Sequence, residues 1–491
     1  MNTPGWFRCL LVLASLFAGM IFDPTHTLAQ SAPPAPQRDG KGLEGSWQGA
    51  LTVNGGIQLR LVMHATPAAA GGFTGTLDSV DQGAMGIPMD TLTQSGDAVH
   101  FEMKKIGASF DGTLNAERTS IQGTFRQGPG TLPLTFERTD KPLVIARPQE
   151  PKRPFPYAEE EVTFPSTAAG VTLAGTFTRP SAAGRYPAVL LVTGSGPQNR
   201  DEELLGHKPF LVIADYLTRR GDAVLRVDDR GVGKSTGNFG AATSEDFAAD
   251  ALGGVAYLKT RPDVDPAHVG LVGHSEGGLI APLVASRSRD VAFVVLLAGP
   301  GVPGDEILVE QSILIGKTLG KVPDEARKRE ELRAVYAILK EEKDPAAAER
   351  RLRALRDEQL AKATEAERAD AAKQAAEYET FLKQVLSPWF RFFITYDPKP
   401  ALSKLTCPVL ALNGELDLQV PPRQNLPAIS AALEAGANRD YEVVKLPGLN
   451  HLFQSTKTGA PAEYAAIEET FSPAALDLIG EWILRHATAA K

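Results

Sequence analysis

The pentapeptide Gly273-His274-Ser275-Glu276-Gly277 sits between an apolar, strand-like run, Val269–Val272, and a stretch compatible with a helix. A serine at a sharp strand-to-helix turn projects its hydroxyl outward, and flanking glycines let the neighbouring backbone pass without collision. The following helix points its N-terminus at the same place and favours negative charge developing there. Ser275 is therefore the candidate nucleophile. A serine hydroxyl reacts slowly without a base, and only His451 and His486 follow it in the chain. His486 lies near the end of the last helical stretch, beside Arg485, and reads as a helix-end residue. His451 falls in Leu446-Pro447-Gly448-Leu449-Asn450-His451, a loop after the last strand-like run. Loops at strand carboxyl ends are where α/β sheets build their sites, so His451 is the expected base.

In such strand–turn–helix units the orienting acid lies between serine and histidine in chain order. The run Val409–Leu412 leads into Asn413-Gly414-Glu415-Leu416-Asp417, which offers Asp417, with Glu415 as the fallback. Asp417 is preferred because it precedes Leu418-Gln419-Val420-Pro421-Pro422, where the chain turns into the next helix. Its carboxylate would fix the histidine tautomer and stabilise the imidazolium. An oxyanion needs two backbone donors. One is expected from Glu276, the other from the loop Thr193-Gly194-Ser195-Gly196-Pro197, with Ser195 ahead of Gly196. This chemistry needs neither metal nor cofactor, and none is expected; the clustered Cys and His of zinc sites are absent from the sequence.

Positioning these groups requires a sheet, and the chain beyond residue 158 has the alternation for one. Strand-like runs fall at Val162–Phe164, Val171–Thr178, Ala188–Val192, Ala223–Val227, Val269–Val272, Phe293–Leu297, Val409–Leu412 and Tyr441–Leu446. Helical stretches, such as Phe210–Arg220 and Asp246–Thr260, fall between them. Continuous apolar runs fit strands covered on both faces, so the expectation is an α/β fold with a mostly parallel sheet. One stretch, about 303–395, breaks the rhythm: it is rich in Ala, Glu, Lys, Arg and Leu and reads as inserted amphipathic helices, a lid. It ends in the aromatic cluster Ser387–Pro398, expected chiefly to dock the insertion on the sheet.

Residues 43–140 differ in texture. The strings "WQGAL", "FTGTL", "FDGTL" and "IQGTF" recur, as expected for adjacent strands of a small antiparallel β-domain. His64 and His100 show no evident partners there. A Pro-rich linker, 141–158, follows. At the N-terminus, Arg8, an apolar run from Leu10 to Phe22 and the small residues around Ala29 read as a signal peptide over 1–29. A flexible lead, 30–42, comes next. The expected location is thus extracytoplasmic, with no integral membrane segment after cleavage. The net charge of -8 argues against nucleic acid as a partner. Cys9 leaves with the signal, so Cys407 has no disulfide partner and reads as a buried thiol.

One string points elsewhere. Val224–Gly237 contains Gly-Val-Gly-Lys-Ser-Thr, close to a phosphate-binding loop. Asp228 stands where that loop needs its first glycine, and a carboxylate there repels phosphate. The helical pattern also begins only near Ser244, too late to aim at a phosphate.

From about Glu161 onward, "TGSGPQNRDE", "DDRGVGKS", "GHSEGG", "NGELDLQVP" and "LPGLNHLF" resemble the α/β-hydrolase superfamily. Within it the chain is similar to the secreted carboxylesterase and serine-aminopeptidase-like group. The resemblance implies an α/β-hydrolase fold and hydrolysis of a small-molecule ester, or alternatively an amide, through an acyl-enzyme. A non-catalytic binding protein is the reading from a different class. The resemblance also implies that Asp229, Arg230 and Ser235 shape a loop beneath the site. Thr193-Gly194 departs from the His-Gly pattern common in the superfamily's oxyanion loop.

Overall fold

The computed structural model describes residues 42–488 except 54–56, 69–70, 83, 129, 142, 144 and 321. The signal-peptide reading and nearly all of the flexible lead lie outside the described residues. Two sheets follow one another along the chain.

The first has nine antiparallel strands: β1 (Gly45–Val53), β2 (Ile57–Pro67), β3 (Phe73–Ser79), β4 (Ala84–Pro88), β5 (Thr91–Ser95), β6 (Ala98–Met103), β7 (Ala108–Leu114), β8 (Ser120–Gln127) and β9 (Gly130–Thr139). Their order is β4-β3-β2-β1-β9-β8-β7-β6-β5. The sheet curls until β3 near one end meets β5 at the other, where a Cβ on Gly75 would sit 2.7 Å from Leu92 Cδ2. Its inner face is filled by Trp47, Phe101, Phe110, Phe136 and aliphatic neighbours. The repeated strings do mark strands, but only those of β7 and β8 are neighbours; β2 separates β1 from β3. Their shared glycines reflect packing instead. A Cβ on Gly49 would meet Thr135 O at 2.5 Å, and one on Gly123 would meet Asp111 O at 2.3 Å. The expectation for the two histidines is also corrected. His64 bonds Ser46 and Asp78, and His100 bonds Asp111.

The second sheet contains β10 (Tyr157–Pro165), β11 (Thr172–Pro180), β12 (Tyr186–Val192), β13 (Ala223–Val227), β14 (Val264–His274), β15 (Val294–Leu297), β16 (Val409–Gly414) and β17 (Tyr441–Leu446). The order is β10-β11-β13-β12-β14-β15-β16-β17, parallel from β13 onward, with β10 and β11 antiparallel at one edge. Alternate residues of β14 feed opposite layers: Val269 and Leu271 enter one core, Val272 the other. Truncating Leu271 to Ala would cost ~2–5 kcal/mol, as for other buried leucines.

Helices cover both faces: α1 (Pro209–Arg220), α2 (Ser244–Thr260) and α3 (Gly277–Ala285) come first. A capping box of Thr243 and Asp246 starts α2. Between β15 and β16 the insertion supplies α4 (Gly304–Thr318), α5 (Glu325–Glu341), α6 (Pro345–Ala361), α7 (Glu365–Lys373), α8 (Ala375–Val385) and α9 (Pro388–Thr395), followed by α10 (Lys399–Leu402). Then come α11 (Pro422–Ala435) and α12 (Pro473–Thr488). Cys407 is half-buried, and burial pushes its thiol up to about 11. No helix among the described residues is long and apolar enough to cross a membrane.

The segment between the sheets is docked rather than loose. Arg147 donates to the carbonyls of Gly206, Ala465 and Ile467 at 3.0, 2.7 and 2.6 Å. The Gln149 side-chain oxygen accepts from Thr470 N and Phe471 N.

Candidate active site

Ser275 lies between β14 and α3 with φ +53°, a left-handed conformation rarely adopted by non-glycine residues. Such a conformation costs ~1–3 kcal/mol and persists only where the surroundings enforce it. Here Ser275 N donates to Leu297 O at 2.8 Å. The glycines on either side are sterically required. A Cβ at Gly273 would sit 2.0 Å from Gly277 O, and one at Gly277 would sit 2.1 Å from Val192 O. All of α3 through Val284 is buried, so the turn cannot relax outward.

After β17 the chain places His451 in a loop that reaches back to the loop after β16. His451 Nδ1 lies 2.8 Å from Asp417 Oδ2, with both residues buried. A carboxylate only accepts, so Nδ1 carries the hydrogen and Nε2 is left as a base. The other carboxylate oxygen, Oδ1, accepts from Gln419 N and Val420 N at 2.7 and 2.9 Å. Glu415, the fallback acid, points elsewhere and pairs with Lys445 on the surface.

A small cavity is lined by Ser195, Ser275, Glu276, Gln311, Trp389, Phe393 and Gln419, with apolar neighbours. It therefore gathers the candidate nucleophile and both candidate oxyanion residues. Among the described residues, neither Ser195 N nor Glu276 N finds an acceptor within the protein. Gly194 N is already committed to Glu202 Oε1 at 2.7 Å. His451 and Asp417 do not line the cavity, and Ser275 Oγ makes no hydrogen bond to His451. In unliganded proteins such bonds are commonly long and tighten with substrate. The aromatic cluster divides its work: Phe390 is buried in the core, while Trp389 and Phe393 line the cavity.

Three features escaped the sequence reading. The first is His274, whose Nδ1 faces Glu202 Oε1 at 2.9 Å and whose Nε2 faces the carbonyl of His451 at 3.1 Å. Burial opposes its charged form, but the Glu202 charge and these hydrogen bonds outweigh burial and raise its pKa. Glu202 thereby ties the oxyanion loop to the serine turn and, through His274, to the loop carrying His451. Glu202 is 72 residues away in sequence, so no spacing signal pointed to it. The second is Gln311, which arrives from α4. The third is the Glu276 side chain, which accepts from Ser244 Oγ and Trp389 Nε1 at 2.6 and 2.8 Å. Complete burial pushes its carboxyl up to about 7.

The loop resembling a phosphate-binding turn packs beneath this site. Asp229 accepts from Thr193 Oγ1 and Gln198 N, and full burial raises its pKa well above the carboxylate range. Arg230 grips Asp250 through two hydrogen bonds. Ser235 donates to Asp228 O and accepts from Ala174 N. A Cβ at Gly233 would meet Asp228 Oδ2 at 2.4 Å, so the glycine is spent on a carboxylate. Lys234 extends outward to Glu161.

Comparison with known proteins agrees with this architecture. Residues 189–467 match the alpha/beta hydrolase family. Esterase EstD of Thermotoga maritima is 26% identical over 314 residues, covering 64% of this chain and 66% of that protein. An uncharacterised protein of Mycobacterium tuberculosis is 32% identical over 130 residues, covering 26% of this chain and 42% of its own length. Among solved structures, the Pyrococcus furiosus esterase Pf2001 superimposes with a TM-score of 0.39 at 16% identity, covering 67% of this chain and 93% of that one. With more than half of its residues inside the family match, this chain belongs to the alpha/beta hydrolase family.

Proposed function

We propose that the chain is an extracytoplasmic serine esterase in which Ser275 is the nucleophile, His451 the general base and Asp417 the orienting acid. The observation that carries this reading is the buried His451–Asp417 pair combined with the left-handed Ser275 at the head of α3. Ser275 Oγ attacks the ester carbonyl while His451 Nε2 takes its proton. The amides of Ser195 and Glu276 hold the oxyanion. The C–O bond to the alcohol then breaks, and His451 returns the proton to the leaving oxygen. Water, deprotonated by His451, attacks the acyl-Ser275 ester and releases the acid. The helices α4–α9 act as a lid that shapes the cavity and excludes water.

Ester substrates are favoured over aminoacyl amides by the cavity wall. An aminopeptidase would use a carboxylate from the insertion to receive the substrate's amine. The insertion residues lining the cavity are Ile307, Leu308, Gln311, Trp389 and Phe393, none of them acidic. Extracytoplasmic location rests on the signal-like N-terminal sequence. The test is fluorophosphonate labelling together with p-nitrophenyl esters and aminoacyl-p-nitroanilides, on wild type and Ser275→Ala. Labelling and ester turnover that vanish in the variant are expected. Turnover of anilides alone, or equal labelling of both proteins, would sink the proposal.

A further inference from the structure

We infer that Gln311 selects esters whose short acyl group carries a neutral hydroxyl. The inference rests on the serine-esterase reading above and supplies its substrate class.

Gln311 projects from α4 into the wall of the cavity that holds Ser275. It is only 7% exposed, and its Oε1 is buried without a hydrogen-bond partner. Its amide nitrogen likewise makes no hydrogen bond among the described residues. Buried polar groups in folded proteins are nearly always paired, so an orphan amide at a cavity wall asks for a ligand. The larger polar side chains around the cavity are already engaged, while the hydroxyls of Ser195 and Ser275 stand at the reacting end. Glu276 accepts from Ser244 and Trp389, and Gln419 donates to Tyr464 Oη. Among the buried amides and acids of the cavity wall, Gln311 is the one with an open requirement.

An amide presents one acceptor oxygen and two donor hydrogens, and rotation of its last torsion brings either end toward the cavity. A hydroxyl both donates and accepts and carries no charge, so it matches an amide without needing a counter-ion. An ammonium or carboxylate would instead be stripped of water against Pro300, Ile307, Leu308, Phe393 and Val420.

Size narrows the class further. The cavity measures about 40 Å³. A cavity this small admits only a short chain. The acyl half remains bonded to Ser275 after the alcohol has left, so a walled cavity suits the acyl chain and the alcohol needs the exit. A three- or four-carbon hydroxyacyl group is the fit.

The test compares kcat/KM for p-nitrophenyl 3-hydroxybutyrate and p-nitrophenyl butyrate on the full chain, wild type and Gln311→Met. Wild type should prefer the hydroxylated ester by ~10-fold or more, because the plain ester leaves the amide unpaired. In Q311M the ratio should fall to about one or below, with turnover of the plain ester rising. Free 3-hydroxybutyrate should also inhibit wild type more strongly than butyrate does, a readout that needs no variant. Equal kcat/KM values in wild type, or a preference that survives Q311M, would overturn the role of Gln311 and leave the esterase reading intact. A wild type that hydrolyses neither ester and resists fluorophosphonate would overturn the esterase reading itself, and this inference with it.

Discussion

The molecule holds two sets of serine, histidine and aspartate, one in each sheet. In the first sheet, Ser46 Oγ lies 3.0 Å from His64 Nδ1, and His64 Nε2 lies 2.8 Å from Asp78 Oδ2. In the second, His451 and Asp417 are bonded while Ser275 waits at its turn. By hydrogen bonds alone the first set looks more complete. It lacks everything else. Ser46 sits within a regular strand and faces His64 directly across the β1–β2 pairing. No helix begins at Ser46, so no cluster of backbone N–H groups stands ready for an oxyanion. The imidazole is also reversed: its crowded Nδ1 faces the serine, whereas His451 turns Nδ1 to the acid and leaves Nε2 open. The side chain of His64 is about a third exposed, whereas that of His451 is buried. What sets Ser275 apart on the proposed reading is therefore its strained turn at the head of a buried helix and the burial of His451, not composition or contact.

Mutations made in pairs would break or sharpen this contrast. Ser275→Ala should lower ester kcat by ~10⁴-fold or more, while Ser46→Ala, in the other sheet and outside the cavity, leaves it within about twofold. If Ser46→Ala abolished turnover instead, the two sets would have to exchange roles. Asp417→Asn should lower kcat by ~10⁴-fold by imposing the wrong tautomer on His451. Its counterpart Asp78→Asn should leave kcat intact and remove ~1 kcal/mol of stability, since Asp78 also accepts from Gly86 N. Chemical denaturation followed alongside turnover separates these outcomes.

A further effect concerns the cost of burial at the site. The Glu276 carboxyl binds its proton more tightly in the fold, up to about pH 7, than in the unfolded chain, near 4.5. Its contribution to stability is therefore full below pH 4.5 and is lost as the pH rises toward 7. Glu276→Gln should flatten that decline, so the variant gains on wild type by up to ~3 kcal/mol at pH 8 relative to pH 4. Denaturant midpoints at the two pH values measure it. A pH dependence identical in both proteins would show that the carboxyl is not held this way.

The contrast also explains what could be read from the chain. Runs such as Ala188–Val192 and Val409–Leu412 fell within their strands because strands buried on both faces read as unbroken apolar segments, whereas the edge strand Tyr441–Leu446 carries Glu442 and Lys445. Ser275, Asp417 and His451 stood out because each follows a strand, and local turn chemistry marks each position. The Ser46–His64–Asp78 array was invisible, since it depends on register across three strands and a one-residue slip would scatter it. The repeated glycine strings misled for a related reason: they report local packing, not which strand lies next door. Glu202 and Gln311 acquire their surroundings only when distant segments meet, and no periodicity announces that.

A last consequence follows from Arg147. Its guanidinium gathers carbonyls from two loops, 205–206 and 465–467, and Gln149 secures a third stretch at 470–471. The second and third of these follow directly on the loop that carries His451. The hydrolase is thus not a detachable cassette beginning where its own sheet begins. A truncation at Tyr157 would cut inside the working unit and leave carbonyl groups without their donor. Force applied to the N-terminal sheet would reach the stretch that follows the loop of His451 through Arg147 and Gln149, so the linker is a mechanical tether as much as a boundary.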